Sequence, residues 1–158
     1  MPARISAGVL LYRRRGPALE VLLVHPGGPF WRSRDAGAWM IPKGGIEPGE
    51  GAEAAARREF HEELGTAITQ PLVPLCRVRQ SGGKWVEAFA AEGEFDPSQL
   101  VSNTVELEWP PRSGQRISVP EVDRAEWFGL EQARDRMLPS QLPILDALAS
   151  HLGDPRRA

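Results

Sequence analysis

The segment GAEAAARREFHEEL, from Gly51 to Leu64, constrains this chain more than any other. Alanine and glutamate favour a helix, and Gly65 directly after it can take the left-handed conformation that closes one. On that helix Glu59, Glu62 and Glu63 stand at i, i+3 and i+4, within an arc of about 100°. Phe60 and Leu64 fall outside the arc, on a face that can pack against a sheet. Like charges at this spacing repel by a few tenths of a kcal/mol per pair on a solvated helix. Arg58, four residues before Glu62, relieves part of that repulsion, and a divalent cation would relieve more. Carboxylate oxygens at this density suit magnesium, or manganese in its place, held by a few side chains together with substrate phosphates.

Taken alone, such a helix could equally be a solvated acidic face. The loop before it separates the two readings. Pro42-Lys43-Gly44-Gly45 brings a lysine and small residues toward the same face. Glycine permits close approach of an anion, and lysine offers a point charge to phosphate. Polyphosphate, cation and carboxylates make one consistent chemical set.

The rest of the chain reads as strands with few helices. ISAGVLLY (5–12) and LEVLLVH (19–25) suggest a hairpin turning at RRRGPA. PGGPFWRSRDAG reads as a loop, and WMIP as a short strand entering Lys43. LCRVRQ and KWVEAFAAE flank Ser81-Gly82-Gly83-Lys84, whose Gly-Gly centre signals a second hairpin. TVELEW (104–109) alternates as a half-buried strand does. WPPRSGQRISVPEVDR reads as a long polar loop, AEWFGL as a last strand, and LPSQLPILDALASHL as an amphipathic helix with Leu142, Leu145 and Leu148 on one side. Mixed strands with two main helices imply an α+β fold with a mixed sheet covered by helices.

The 158 residues suit one domain spanning 1–158, with a tail expected to fray from about residue 153. A net charge of −2 implies no general attraction to nucleic acid or anionic membrane. The apolar runs are too short to span a bilayer, and MPARIS lacks the layout of a signal peptide. With one cysteine, Cys76, no disulfide forms within this sequence, and a reducing cytoplasm is the natural setting.

The segment from Gly44 to Thr66 resembles the Nudix box of the Nudix hydrolase superfamily. Gly44, Glu50, Arg58, Glu59, Glu62, Glu63 and Gly65 all sit at the spacing of that pattern. Seven such identities would coincide by chance about once in 10⁸ windows at ordinary residue frequencies. Phe60 stands in an aliphatic slot and Thr66 in another, which alters packing but no ligand. The resemblance implies an α/β/α sandwich and hydrolysis within the phosphate chain of a nucleoside diphosphate derivative, with magnesium. It implies Glu59 and Glu63 as metal ligands, Glu62 as a further ligand, Arg58 orienting the carboxylates, and Glu50 bracing the loop. A main-chain carbonyl near Lys43 or Gly44 would complete the shell, and Gly65 would close the helix. The general base would be Glu59 or a glutamate from a later loop.

Glu121, in that long polar loop, is the candidate to reach the box helix as an extra ligand or as the base. Trp39 could stack on a base or pack in the core. Trp127 and Phe128 read as core, His61 and His25 as non-ligands, and Arg13-Arg14-Arg15 as a solvated turn. The loop Trp-Met-Ile-Pro-Lys-Gly, ending at Gly44, resembles that of hydrolases acting on dinucleoside polyphosphates. Diadenosine tetraphosphate is thus the leading substrate, and a nucleoside triphosphate the second. A Nudix-fold module that binds nucleotides without catalysis is the competing function. Such a module would be expected to lose box glutamates, and none is missing here.

Overall fold

The computed structural model describes residues 5–153. Strand β1 (Ile5–Arg15) is the hub of a six-stranded sheet. It pairs antiparallel with β2 (Ala18–Pro26) and parallel with β5 (Trp85–Glu92). Strand β4 (Val73–Arg79) lies beyond β5 at one edge, and β8 (Val122–Gly129) beyond β2 at the other. The β1–β2 ladder continues through Arg13–Arg15, past the apolar run. The added length is held by charge: Arg13 Nε donates to Glu20 on β2 at 2.8 Å, and Arg14 lies 3.6 Å from Glu92 on β5. Arg13 also sits 4.1 Å above the Trp127 ring, so this arginine is a cross-strand clamp rather than a solvated turn residue.

Alternation along the strands builds two cores. Ala7, Val9 and Leu11 of β1, with Leu22 and Val24 of β2, face helix α1 (Ala52–Leu64) through Ala55, Ala56, Phe60 and Leu64. Leu10, Tyr12, Val21 and Leu23 face the other way. They meet Trp39, Met137 and the residues Ile144, Leu145 and Leu148 of helix α3 (Leu142–Gly153). The sheet is therefore sandwiched between helices, as the period-two pattern of its strands requires. The tail expected to fray lies outside the described residues, apart from Gly153, which ends α3.

Three expectations need correction. WMIP forms no strand of its own: Trp39 and Met40 make single bridges to Met137 and Val24, and the strand is β3 (Lys43–Gly45). The long polar loop contains β7 (Arg116–Pro120), which folds back on β6 (Thr104–Glu108) as a separate two-stranded ribbon. Most of β6 is exposed rather than half-buried, because a lone ribbon has little to pack its apolar side against. Helix α2 (Leu130–Arg136) was not foreseen; it has seven residues and one buried side chain, Ala133, too few to carry a period. Cys76, a residue type more often found as a small buried hydrophobe than as a reactive thiol, is half-buried here, on a strand at the sheet edge.

Helix α1 ends as its sequence requires. Gly65 has φ 83°, and its N–H donates to His61 O at 2.8 Å. A Cβ at Gly65 would also lie 2.7 Å from Val101. Gly65→Ala is expected to cost about 1–3 kcal/mol, combining left-handed strain with that contact. Urea unfolding of the variant against wild type measures it.

Candidate active site

The site forms where β1 parts from β2. The first residues of β1 pair instead with β3, in register Ser6↔Gly45, Ala7↔Gly44 and Gly8↔Lys43. That pairing carries the Lys43-Gly44-Gly45 loop onto α1. Two glycines permit it. A Cβ on Gly8 would lie 2.5 Å from Pro42 O, and one on Gly44 would lie 2.1 Å from the Glu59 carboxyl carbon. Gly44 is thus required because the Glu59 carboxylate occupies the space a side chain would need.

Arg58 organises the carboxylates around it. Its Nε and Nη2 grip Glu50 at 2.8 and 2.9 Å, and Nη2 also donates to Gly45 O at 3.0 Å. Its Nη1 reaches Glu59 at 2.9 Å and Glu62 at 3.2 Å. Glu50 in turn accepts from Glu47 N at 3.0 Å, which ties the 45–50 loop to the helix. The Arg58 bonds, first of all, hold the Glu50 carboxyl down at about 2, and hydrogen bonding to Glu50 raises Arg58 further.

Glu59 and Glu63 are buried on α1, and Glu121 comes to them from the junction of β7 and β8. Each of the three offers an oxygen within 4.8 Å of the others. Glu121 is fixed by its main chain. Its N–H donates to Asn103 O at 2.9 Å, and its carbonyl accepts from Gly27 N at 3.0 Å. Asn103 N donates to Glu62 O at 2.9 Å, so one short strap links the end of α1 to Glu121.

Burial raises the Glu59 carboxyl, with Arg58 opposing the shift and Glu62 and Glu121 adding to it. Burial likewise pushes Glu63 up to about 9, reinforced by Glu121 and opposed by Lys43. Glu63 Oε2 is buried with no hydrogen-bond partner. A buried carboxylate oxygen without a donor needs either a proton or a cation. Three converging carboxylates supply the hard oxygen donors that a divalent cation prefers, so the residues present fit one.

Other candidates fall elsewhere. Glu62 lies outside this cluster, with its side chain 42% exposed and committed to Arg58. Trp39, considered for base stacking, is fully buried, donates from Nε1 to Asp35 at 2.8 Å, and packs edge-on against Phe128. Its apolar neighbours on β2, β8 and α3 outcompete any ligand for that ring. Trp127 is only partly buried, while Phe128 is core. His61 is exposed, and buried His25 is bonded to Asp123 and to Arg34 O, at 2.8 and 2.6 Å. A cavity of about 440 Å³ opens beside the carboxylates, lined by Ser6, Lys43, Gly44, Glu121 and Lys84. Lys84 carried no functional signal in the sequence beyond following a Gly-Gly turn; only the parallel pairing of β5 with β1 brings it here.

The chain belongs to the NUDIX domain family, whose model matches residues 2–148. Among curated proteins it is similar to an RNA pyrophosphohydrolase of Erythrobacter litoralis, 39% identical over 64 residues, covering 40% of this chain and 35% of that protein. A second, from Caulobacter vibrioides, is 43% identical over 61 residues, covering 35% and 36%. The matched region thus spans about a third of the length of these relatives. Among solved structures, a C. elegans Ap4A hydrolase binary complex superposes with TM-score 0.64 at 22% identity, covering 94% of this chain and 98% of that one. The NUDIX domain of Shewanella oneidensis NrtR with ADP ribose gives 0.65 at 18%, covering 96% and 90%. At these identities the structural likeness establishes the fold alone. Among the described residues no helix is long and apolar enough to cross a membrane.

A carboxyl raised on folding keeps a proton that the unfolded chain has released, so its stabilising contribution is present at low pH and is lost as pH rises. With a chelator present, the melting temperature is expected to fall between about pH 5 and about pH 9, the window set by Glu63. Glu63→Gln should flatten that fall. A thermal-unfolding series of both proteins across this range checks it.

Proposed function

We propose that this chain is a metal-dependent hydrolase of phosphorus anhydrides, acting on a nucleotide with a long phosphate chain. The observation that carries the reading is the convergence of Glu59, Glu63 and Glu121 within 4.8 Å beside a cavity that also presents Lys43. Magnesium is the cation we assign, with manganese able to replace it. When bound, such an ion polarises phosphoryl oxygens and lowers the pKa of the attacking water.

Glu59, Glu63 and Glu121 hold the cation, with the Gly44 carbonyl as a further ligand. Glu62 is kept by Arg58 at the edge of the set, where it can join as an outer ligand. Arg58 orients Glu59 and Glu62, and Glu50 locks Arg58 in turn. Glu121 lines the cavity as well as belonging to the cluster, so it is the carboxylate we assign to receiving the proton of the attacking water. Lys43 places a positive charge against the phosphates. Little covalent chemistry is asked of these residues; position and charge lower the barrier.

Diadenosine tetraphosphate leads as substrate, on the Trp-Met-Ile-Pro-Lys-Gly loop and the position of Lys43. The names of the curated relatives favour a second reading, a triphosphate at the 5′ end of an RNA or on a free nucleoside. The single cysteine fits work in a reducing cytoplasm.

With magnesium at a fixed concentration, diadenosine tetraphosphate should be hydrolysed faster than ADP-ribose. Equal or reversed rates would overturn the substrate assignment, and turnover of no member of a panel including 5′-triphosphate RNA would favour a binding module instead. Glu121→Gln should lower kcat about 10²-fold, the scale for losing a positioned base. Its melting temperature should stay near that of wild type, because the residue is held through its main chain. Unchanged kcat would remove Glu121 from the mechanism.

A further inference from the structure

Strand β8 changes phase at its start, next to the site. Val24 pairs with Ala125 and His25 with Arg124, but Pro26 pairs with Val122, so Asp123 is an extra residue that β2 does not match. Ala125 and Trp127 belong to the core under α1. Strict alternation would send Asp123 to that apolar side as well. The bulge instead turns Val122 into that core and carries Asp123 and Arg124 to the opposite face. There Asp123 bonds to His25 Nδ1 at 2.8 Å, and the Arg124 guanidinium lies 5.1 Å from the centre of the Trp39 ring. A bulge of this kind bends the strand and re-aims the side chains beside it. The residue it re-aims here is Glu121, two positions before Asp123. The Glu121 carbonyl accepts from Gly27 N at 3.0 Å, at an approach so close that a Cβ on Gly27 would lie 2.0 Å from Pro120 O.

His25 holds the bulge in place. The residue is fully buried and stands edge-on to Trp39, with ring centroids 5.2 Å apart. Its Nε2 lies 2.6 Å from Arg34 O, and a carbonyl only accepts, so Nε2 carries a proton. Nδ1 and the Asp123 carboxylate share a second proton between them. A buried ring engaged at both nitrogens has one orientation, fixed by β2, by Trp39 and by the loop that carries Arg34. Asp123 is thereby tied to a rigid point, and the only other charge on it, Arg124 Nε, is 3.8 Å away. Neither His25 nor Asp123 belongs to the cluster of Glu59, Glu63 and Glu121, and the hydrolytic chemistry assigned above makes no use of them.

We propose that His25 and Asp123 are positioning residues for Glu121: they fix the bulge in β8, and the bulge sets where the Glu121 carboxylate meets Glu59 and Glu63. This rests on the reading of that cluster as a cation site. The pair acts through two residues of main chain, so it governs cation affinity and the proton-accepting step at Glu121. The hold on the phosphates, which falls to Lys43 on β3, is independent of it.

The test uses the full chain. Calorimetric titration with manganese alone gives cation affinity without turnover, and kinetics on diadenosine tetraphosphate with magnesium separate kcat from KM. Asp123→Ala removes the acceptor at a partly exposed side chain, and circular dichroism with a chelator present confirms that the variant is folded. Outer partners of a ligand set are commonly worth 10–100-fold, so Asp123→Ala is expected to weaken manganese binding and to lower kcat about tenfold each, with KM little changed. In a Glu121→Gln background the same substitution should cost almost nothing further, because its effect runs through a carboxylate already removed. Two replacements of His25 separate its nitrogens. Asparagine puts an amide N–H where Nδ1 stands and glutamine puts one where Nε2 stands. His25→Asn should therefore keep most of the manganese affinity and kcat that His25→Gln loses. A pair that merely stabilised the fold would lower the melting temperature and leave the manganese affinity of the folded protein unchanged, and that result overturns the proposal. So does an equal loss from Asp123→Ala with and without Glu121. If wild type binds manganese and hydrolyses no substrate, the hydrolase reading falls, and the manganese titrations still decide the pair. If wild type binds no manganese, the cation site and the proposal fall together.

Discussion

Crowding of negative charge around Glu63 governs the rest of this structure. Glu63 is buried, Glu59 and Glu121 stand within 4.8 Å of it, and one of its oxygens has no donor. Such an arrangement is costly in low dielectric unless a proton or a cation is shared among the carboxylates. The fold holds it in place by packing. Phe60 and Leu64 anchor the opposite face of α1 on the sheet, so the helix cannot turn its glutamates outward without exposing that core. Packing thus holds three carboxylates together against their mutual repulsion.

Arg58 divides the glutamates into two groups. Glu50, Glu59 and Glu62 share its guanidinium, whereas Glu63 and Glu121 do not touch it. The fork geometry of arginine allows one residue to hold three carboxylates at fixed angles, which a lysine could not do. Glu59 belongs to both groups: it bonds to Arg58 and converges with Glu63. It therefore couples the bracing of the 45–50 loop to the shape of the carboxylate cluster. Gly44 completes this coupling, since its missing side chain is the space in which the Glu59 carboxylate lies.

Around that centre, the elements that close the site come from far away in the chain. Glu121 arrives at the end of the β6–β7 ribbon, secured by Asn103 and Gly27. Ser102 reinforces the junction, accepting from Val122 N at 3.0 Å and donating to Asn103 O at 2.8 Å. Strand β7, in the segment that reads as a polar loop, returns the chain to the site. On the other side, β1 brings the β4–β5 hairpin and Lys84 within reach.

Much of the site is local and was therefore legible in the sequence. The helix, its cap at Gly65 and the three carboxylates on α1 follow from spacing within a few turns, and the resemblance supplied Arg58 with Glu50; the loop glycines were expected to admit an anion, whereas Gly44 makes room for the Glu59 carboxylate itself. The hairpins announced themselves through apolar runs and a Gly-Gly turn. Contacts between distant segments were not legible in the same way. The ring of Trp39 could have faced a ligand or the core, and only its neighbours from β2, β8 and α3 decided for the core. Within 104–120, β6 was legible as a strand from its alternation though not its exposure, whereas β7 lies in polar sequence that reads as a loop. Lys84 is ordinary in sequence and becomes part of the site through a parallel pairing between strands some 80 residues apart. The sequence by itself determined the box helix and its charges, because a helix relates residues a few positions apart; the tertiary structure alone decided which distant side chains meet them, because sheet pairing relates residues by register and not by spacing.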